Sequence, residues 1–335
     1  MRSALPRLAI TLGDPAGIGP EVAAKALLSP EAAACRPLLI GSRAALVFAI
    51  KNLPQPPDIV SVDPDDPFSQ IPAPGQVALL ETPPVLPPCG KASAEGGRSA
   101  LDALDAASDL ALSGRVDGIV TAPLSKDAVR LAGAATFTGH TEHLSARCGG
   151  VPVHMMMASD DLCVVLATTH LALSRVPAAI SVDTVFETIR ATHEALVRHA
   201  GLSAPRIAVC GLNPHPGEFG DEDIRVAEAV NRASRCGIEA DGPHSADALF
   251  PRVVHQKSHD AVVALYHDQG LVPVKLTGFP AAVNVTLGLP FVRTAPGHGT
   301  AWDIAGRGCA DPAGMIAALA WAARWSAPRS AQAAG

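Results

Sequence analysis

The sequence is poor in aromatic and charged residues. Aromatic side chains make up 4% of the 335 residues and charged ones 17%, whereas hydrophobic residues reach 48%. This composition excludes a disordered chain and predicts a compact core of aliphatic and alanine side chains. The net charge is −6 and there is no basic block, so a surface that neutralises nucleic-acid phosphates is not expected.

Cysteine pairs and long apolar runs are also missing. The seven cysteines are scattered and none lies at CxxC spacing, which excludes a thiolate zinc site and a disulfide framework and is typical of a reducing compartment. Cys163 and Cys210 fall in apolar runs and are interpreted as core residues. No run approaches the roughly 18 apolar residues of a membrane span. The first residues lack a signal-peptide pattern, so a cytoplasmic protein without membrane contacts is expected.

Short aliphatic runs alternate with longer amphipathic ones, which predicts an α/β fold with a mostly parallel sheet. The predicted strands are Leu8–Leu12, Pro37–Ile40, Gln76–Leu80, Gly118–Thr121, His154–Ala158, Cys163–Ala167, Ile207–Cys210 and Val262–Leu265. The predicted helices are Pro20–Leu28, Gly97–Leu112, Val182–Ala200, Glu222–Cys236 and Ala313–Arg324. The Pro-rich stretch 63–88 is expected to form surface loops around one strand, and the small polar residues 326–335 to be frayed.

Three histidines each follow a predicted strand. His170 comes after the strand ending at Ala167, His215 after the one ending at Cys210, and His267 after the one ending at Leu265. Loops at strand ends are where α/β proteins bind ligands, and three imidazoles can hold a divalent metal with positions left open. For each histidine taken alone, the favoured interpretation is that it satisfies nearby backbone groups, but the arrangement occurs three times, which weakens that interpretation.

Other polar residues suggest anion binding or acid–base chemistry. Lys275, Asn284 and Arg293 stand in apolar or Gly-rich surroundings, with Arg293 at the end of a strand-like run, and could together bind a phosphate or carboxylate. Lys275 and Arg293 could instead be solvated charges. Asp247 could be a general base, an outer carboxylate of a metal site or a helix N-cap.

Two motifs precede predicted helical segments. In the segment 138–143, Thr138 or Thr141 could cap a helix, which would place His140 and Thr141 to hydrogen-bond a substrate. The segment 13–21, rich in glycine, runs from a strand into a helix with Pro20 in its first turn. It could form either an anion cradle or a tight strand–helix turn, because its spacing matches neither the dinucleotide fingerprint nor the P-loop.

Six segments in order resemble one family over nearly the whole chain. The 4-hydroxythreonine-4-phosphate dehydrogenases of pyridoxal phosphate biosynthesis are similar at 13–21, 138–143, 168–170, 213–215, 266–270 and 284–290. The resemblance implies two α/β/α domains like those of isocitrate and isopropylmalate dehydrogenases, with an interdomain active site. It places residues 1–128 and 296–335 in the first domain and residues 129–295 in the second.

The resemblance also implies the chemistry. Such enzymes use NAD or NADP and one divalent metal (zinc, magnesium or cobalt) to oxidise a secondary hydroxyl, after which the β-keto acid loses carbon dioxide. They are homodimers with active sites at the interface. By motif, His170, His215 and His267 are metal ligands, one supplied by the other subunit. The substrate-binding positions are His140, Thr141, Lys275, Asn284 and Arg293, and no residue is assigned to the cofactor.

Two departures from the family pattern bear on the substrate. The loop after His215 is shorter than usual, and Ala295 and Gly297 stand where serine and aspartate are common. Paralogues oxidise 4-phospho-D-threonate, 4-phospho-D-erythronate or an aromatic dihydrodiol carboxylate. The phosphate contacts kept here favour a phosphorylated substrate. A metal-dependent hydrolase or aldolase using the same histidines is the alternative from another class, and a structural metal site is the non-enzymatic one.

Overall fold

The computed structural model describes residues 5–70 and 72–327. The start of the chain before Leu5, and the expected frayed end from residue 328 onward, lie outside this range. The chain divides into two compact units, with boundaries at Val151/Pro152 and Gly288/Leu289. These boundaries differ from the expected 128/129 and 295/296. Residues 129–151 pack with the first unit because His143 is hydrogen-bonded to Asp105, and residues 292–294 pair with a strand of the same unit.

The strands within the described residues follow the hydrophobic runs. In chain order they are β1 (Arg7–Thr11), β2 (Arg36–Gly41), β3 (Asp58–Ser61), β4 (Gln76–Glu81), β5 (Gly118–Thr121), β6 (His154–Ala158), β7 (Cys163–Leu166), β8 (Ile207–Cys210), β9 (Ala240–His244), β10 (Ala261–Ala264), β11 (Val283–Leu287) and β12 (Val292–Pro296). All eight predicted strands are present within one or two residues, and β3, β9, β11 and β12 are additional.

The α-helices follow the amphipathic stretches. They are α1 (Gly19–Leu27), α2 (Arg43–Ile50), α3 (Ala94–Leu112), α4 (Lys126–Leu131), α5 (His140–Arg147), α6 (Val176–Ala179), α7 (Val182–Ala195), α8 (Glu222–Arg235), α9 (Ala246–Gln256), α10 (His267–Gly278) and α11 (Ala313–Ser326). Short 3₁₀ turns occur at 30–34, 173–175 and 302–304, and α7 continues as a π turn over 196–200. None of the helices between residues 5 and 327 combines the length and apolarity that a bilayer crossing requires.

The first unit contains a parallel sheet in the order β3-β4-β2-β1-β5-β12. Its central strands are almost fully buried, as continuous aliphatic runs in parallel sheets usually are. Helix α3 packs on β1 and β2, while α11 packs on β12 and β5. The predicted fold class, α/β with mostly parallel strands, is confirmed.

The second unit contains the strand order β11-β6-β7-β10-β8-β9. Strands β7, β10, β8 and β9 are parallel, whereas β11 and β6 run antiparallel to their neighbours. Successive strand residues alternate between two apolar clusters. Ile207 and Val209 pack with α7 and α8, while Ala208 and Cys210 pack with α9 and α10. Cys210 is a core residue as predicted, and burial raises the pKa of its thiol to about 12.

Candidate active site

The three histidines of the second unit lie beyond the carboxyl ends of three adjacent parallel strands. His170 follows β7, His267 follows β10 and His215 follows β8, and β10 lies between the other two strands. Carboxyl ends of parallel strands meet at one edge of a sheet, which is the usual ligand site of such folds. The topology therefore brings the predicted metal residues to one edge.

His170 and His267 lie close together. Their ring centroids are 5.6 Å apart, and together with Tyr266 they line a small cavity of about 320 Å³. His267 begins α10, and its Nδ1 lies 2.7 Å from a carboxylate oxygen of Asp268. A carboxylate on one ring nitrogen orients the imidazole and leaves Nε2 as the metal-binding atom.

The loops that carry these histidines are tied to one another by hydrogen bonds. Thr168 donates from its hydroxyl to the Leu265 carbonyl at 2.7 Å, which joins the ends of β7 and β10. The Gln269 side chain donates to the Gly211 carbonyl at 2.8 Å and accepts from the Leu265 amide at 2.7 Å. These hydrogen bonds therefore fix the loops after β7, β10 and β8 relative to one another.

Packing under the first turn of α10 is equally tight. A Cβ atom built on Gly270 would lie 2.7 Å from Val164 and 2.8 Å from Leu166 on β7, and 3.0 Å from the Ala264 Cβ. Only glycine lets α10 sit this deep on the sheet, because real side chains do not approach so closely. This depth sets the height of His267 above the strand ends.

His215 lies on the exposed loop after β8, with its ring 6.3 Å from that of Phe219. The loop is organised by the buried carboxylate of Asp223, which accepts from the Leu212 amide at 2.6 Å and from the Asn213 side chain at 2.9 Å. Among the described residues, His170, His215 and His267 do not converge within 4.8 Å of one another. The group that does consists of Asp241, His244 and His259.

Asp247 is exposed in the first turn of α9. The N-cap residue of that helix is Ser245, so the interpretation of Asp247 as the N-cap is wrong. Ser245 does not cap through its side chain and instead donates to the Pro214 carbonyl at 2.5 Å, which places the start of α9 beside the His215 loop. Lys275 is exposed near the end of α10.

Asn284 lies on β11, opposite Met157 of β6. Its Oδ1 is buried and has no hydrogen-bond partner within the described part of the chain. A buried polar atom left without a partner costs about 1–3 kcal/mol. This atom therefore fits a position where a ligand hydroxyl or amine would donate.

Arg293 is the buried cation of the first unit. It lies within β12 and not at a strand end as predicted, because the strand begins only at Val292. It is 3% exposed, and both its Nε and a terminal nitrogen donate to the Thr121 hydroxyl, at 3.2 and 2.6 Å. Burial lowers its pKa to about 10, which the charge of Glu142 opposes, so the guanidinium is charged at neutral pH. A buried guanidinium of this kind suits a phosphate or carboxylate ligand.

His140 and Thr141 begin α5 in the first unit. The N-cap is Gly139, with no side-chain hydrogen bond, so capping by Thr138 or Thr141 is wrong. Burial holds the pKa of His140 well below its usual value, and the positive charges of Arg293, His143 and Lys126 add to the effect. His140 is therefore neutral at pH 7, with one nitrogen able to accept and the other to donate.

The glycine-rich segment 13–21 forms a tightly packed strand–helix turn. A Cβ on Gly13, where φ is +67°, would overlap the Pro123 carbonyl, and one on Gly17 would lie 2.8 Å from the Thr300 carbonyl. Pro20 lies in the first turn of α1 as predicted. Of the two alternatives, the tight turn accounts for these glycines. The Asp14 carboxylate is fully buried and accepts from the Ala16 amide at 2.9 Å, while burial raises its pKa.

Several positioning residues were not identified from the sequence. Thr121 ends a predicted strand and Asp223 is the second residue of a predicted helix, and neither position alone indicates a hydrogen-bond partner for a site residue. Asp268 and Gln269 stand inside the motif that contains His267. Their polar side chains directly after a strand were the signal that could have found them.

Comparison with known proteins gives matches over most of the chain. The family model for the pyridoxal phosphate biosynthetic protein PdxA matches residues 33–322. A 4-hydroxythreonine-4-phosphate dehydrogenase of Desulfosudis oleivorans is 42% identical over 94% of both chains. The crystal structure of a 4-hydroxythreonine-4-phosphate dehydrogenase from Burkholderia phymatum is 39% identical, with a TM-score of 0.85 over 97% of this chain and 99% of that one.

A third structure is more distant. The terephthalate 1,2-cis-dihydrodiol dehydrogenase of Burkholderia xenovorans is 28% identical, with a TM-score of 0.65, and the match covers 93% of this chain and 95% of that one. Its lower identity and TM-score set it apart from the two 4-hydroxythreonine-4-phosphate dehydrogenases. With strand-end histidines, a buried arginine and matches along nearly its full length, this chain belongs to the PdxA family of pyridoxal phosphate biosynthetic proteins.

Proposed function

We propose that this protein is a 4-hydroxythreonine-4-phosphate dehydrogenase. It oxidises the C3 hydroxyl of 4-phosphohydroxy-L-threonine with NAD or NADP, and the β-keto acid so formed loses carbon dioxide to give 3-amino-2-oxopropyl phosphate. The observation that carries the proposal is that His170, His215 and His267 each follow one of three adjacent parallel strands, in a chain 42% identical to such an enzyme.

The metal ligands in this proposal are His170, His215 and His267. Two of them suit a divalent metal, because the ring centroids of His170 and His267 lie 5.6 Å apart and His267 is oriented by the Asp268 carboxylate. A zinc, magnesium or cobalt ion bound there would act as a Lewis acid that makes the substrate hydroxyl more acidic and stabilises charge during decarboxylation. One of the three ligands comes from the second subunit of a homodimer.

The substrate phosphate is bound by positive charge. Arg293 is fixed by two hydrogen bonds to Thr121, and a guanidinium prepared in this way loses little entropy on binding an anion. Lys275 contributes a second positive charge. Neutral His140, with Thr141 beside it, and the unpartnered oxygen of Asn284 bind the hydroxyl and amino groups of the substrate.

Oxidation releases a hydride and a proton. A bound nicotinamide would supply the redox chemistry as the hydride acceptor. His298 of the first unit has a buried Nε2 without a hydrogen-bond partner among the described residues. This nitrogen could hydrogen-bond to a polar group of the bound cofactor. The hydroxyl proton goes to a base, and we assign this role to Asp247, whose helix begins beside the His215 loop.

The cellular setting follows from the thiols. All seven cysteines are free, which fits a reducing compartment, and we place the enzyme in the cytoplasm.

The test is NAD(P)H formation by purified, metal-loaded protein. 4-Phosphohydroxy-L-threonine is compared with 4-phospho-D-threonate, 4-phospho-D-erythronate and a terephthalate dihydrodiol. We expect the first to be turned over with kcat/KM of about 10⁴ M⁻¹s⁻¹ or more. Turnover only of another substrate would contradict the assignment, and metal-dependent turnover without nicotinamide would favour the hydrolase or aldolase alternative.

A variant pair tests the metal ligands. His215→Ala should abolish metal-dependent turnover without lowering the thermal unfolding midpoint of the chelator-treated protein, because His215 lies on an exposed loop. His255→Ala, which removes an exposed histidine from α9, should leave turnover unchanged. Full activity of His215→Ala would remove that residue from the metal site.

A further inference from the structure

Asp241, His244 and His259 form a second cluster of metal-binding groups in the second unit. An Asp241 carboxylate oxygen lies 2.9 Å from Nε2 of His244 and 3.0 Å from Nε2 of His259. The three ligand atoms all lie within 4.8 Å of one another. Both imidazoles direct Nε2 to the same carboxylate oxygen, and their ring centroids are 6.2 Å apart.

An irregularity in β9 makes this convergence possible. Residues three apart on a regular strand point to opposite faces of the sheet. Here Asp241 is paired with Ala208 and His244 with Cys210. Strand β9 therefore advances by three residues over a stretch in which β8 advances by two. The extra residue is a bulge, which brings both side chains to the face on which Ala208 and Cys210 pack.

Glycine is required at the bulge. Gly242 has φ of +136°, and a Cβ atom there would overlap the Val209 carbonyl. Glycine at position 242 therefore allows the bulge that places the side chains of Asp241 and His244 on the same face of the sheet.

His259 reaches the cluster from another segment. It follows α9 and precedes β10, and only 11% of its side chain is exposed, compared with 25% for His244 and 60% for Asp241. Its Nδ1 lies 2.9 Å from the Ser258 hydroxyl. When the Ser258 oxygen accepts from Nδ1, Nε2 carries the lone pair, and a metal ion bound there would replace the contact between Nε2 and Asp241.

We propose that Asp241, His244 and His259 bind a divalent transition metal of the zinc type, separate from the strand-end histidines. Two imidazoles and a carboxylate are ligands that zinc takes, with water in the remaining position. Ligand atoms about 2.0–2.1 Å from a tetrahedral zinc lie about 3.3–3.4 Å apart. The observed separations of 2.9 and 3.0 Å need to open by only a few tenths of an ångström.

The site ties β9 to the segment before β10. His259 precedes β10 and His267 follows it, and the four residues of that strand span about 13 Å at about 3.3 Å each. His259 and His267 therefore lie at opposite ends of one strand, and variants of each cluster distinguish the zinc bound at the two proposed sites.

The test is zinc binding by equilibrium dialysis against Zn²⁺ with elemental analysis. We expect the wild-type protein to hold one zinc more per subunit than His244→Gln/His259→Gln, and His215→Ala to keep the zinc that the double variant loses. His255→Gln, an exposed histidine on α9, is the matched control and should bind as the wild type does. Equal zinc content and affinity in wild type and double variant would overturn the proposal, whatever the result for His215→Ala.

A single variant covers the case in which the double variant does not fold. Asp241→Asn keeps the size of an exposed side chain and removes its charge, and it should weaken zinc binding at this site at least tenfold. Cobalt(II) absorption bands report the same event, and they should be present in wild type and reduced in Asp241→Asn. Unchanged zinc affinity and cobalt bands in Asp241→Asn would contradict the proposal.

Discussion

At the level of single residues, the site is made by side chains whose partners are remote in sequence. Arg293 stands out in the sequence as a charge among apolar residues, and that prediction of a binding role remains a proposal. Its burial and its bond to Thr121, 172 positions away, follow only from the pairing of β5 and β12. Sequence patterns indicate which residue types are unusual but not which distant hydroxyl will meet them.

Removing the Thr121 hydroxyl should impair substrate binding. Thr121→Val removes one hydrogen-bond acceptor of the buried guanidinium, which costs about 1–3 kcal/mol and loosens the orientation of Arg293. We expect kcat/KM for the phosphorylated substrate to fall about tenfold to a hundredfold, mainly through KM. Thr121→Ser keeps the oxygen and should retain most activity, so equal losses in both variants would contradict this role.

His140 should make the protein sensitive to acid. Its pKa is well below the usual value in the native state, whereas in the unfolded chain it takes up a proton near pH 6.5. The unfolded state then binds more protons, so stability falls as pH drops below about 6.5, by up to about 1.4 kcal/mol per pH unit. Urea unfolding at pH 7.5, 6.5 and 5.5 should show a smaller loss for His140→Gln than for wild type. Parallel losses would show that His140 titrates normally.

At the level of elements, hydrophobic pattern predicted the eight strands built on apolar runs and missed four others. Gly118–Thr121 and Ile207–Cys210 have the predicted bounds, because buried parallel strands are uninterrupted apolar runs. Strand β9 reads Ala-Asp-Gly-Pro-His and lacks the pattern of a strand, whereas β11 reads Val-Asn-Val-Thr-Leu, an alternating pattern that was overlooked. These elements are fixed by pairing with neighbours, and they carry the proposed binding groups.

The contact between α3 and α4 gives a prediction at this scale. Glycine to alanine inside a helix usually stabilises by about 1 kcal/mol. A Cβ on Gly97 of α3, however, would overlap the Ala128 carbonyl of α4, whereas one on Gly96 would meet Ser93 at 3.1 Å. We expect Gly97→Ala to destabilise by about 1–3 kcal/mol and Gly96→Ala by less, measured by thermal unfolding. The reverse order would show that α4 yields to the added methyl group.

At the level of the whole molecule, the two compact units carry different chemistry. The strand-end histidines, Asn284 and Lys275 belong to the second unit, while Arg293, His140 and Thr141 belong to the first. The sequence predicted an α/β fold with parallel sheets, but the unit boundaries depend on which strand β12 pairs with. Such long-range pairing is not encoded in local periodicity, so the predicted boundaries differ from the observed ones by 7 to 23 residues.

Subunit mixing tests the proposed homodimer. If one metal ligand comes from the partner, coexpressed pairs of inactive His170→Ala, His215→Ala and His267→Ala chains should recover activity in two of the three combinations. Half of the dimers are mixed and each has one intact site, so about a quarter of wild-type turnover is expected. The pair His170→Ala with His267→Ala should not recover, because these rings lie together in one chain. Absence of recovery in all pairs would place all three ligands in a single subunit.

The depth at which α10 rests on its sheet has a consequence for how this protein can change over evolution. Gly270 carries no chemistry, but any larger residue would lift the helix away from Val164 and Leu166 and carry the His267 imidazole upward with it. His267 and Gly270 are three residues apart, about one helical turn, so a lift at one is transmitted directly to the other. Replacing Gly270 would therefore displace the His267 imidazole, so selection that keeps this imidazole in place also keeps glycine at position 270.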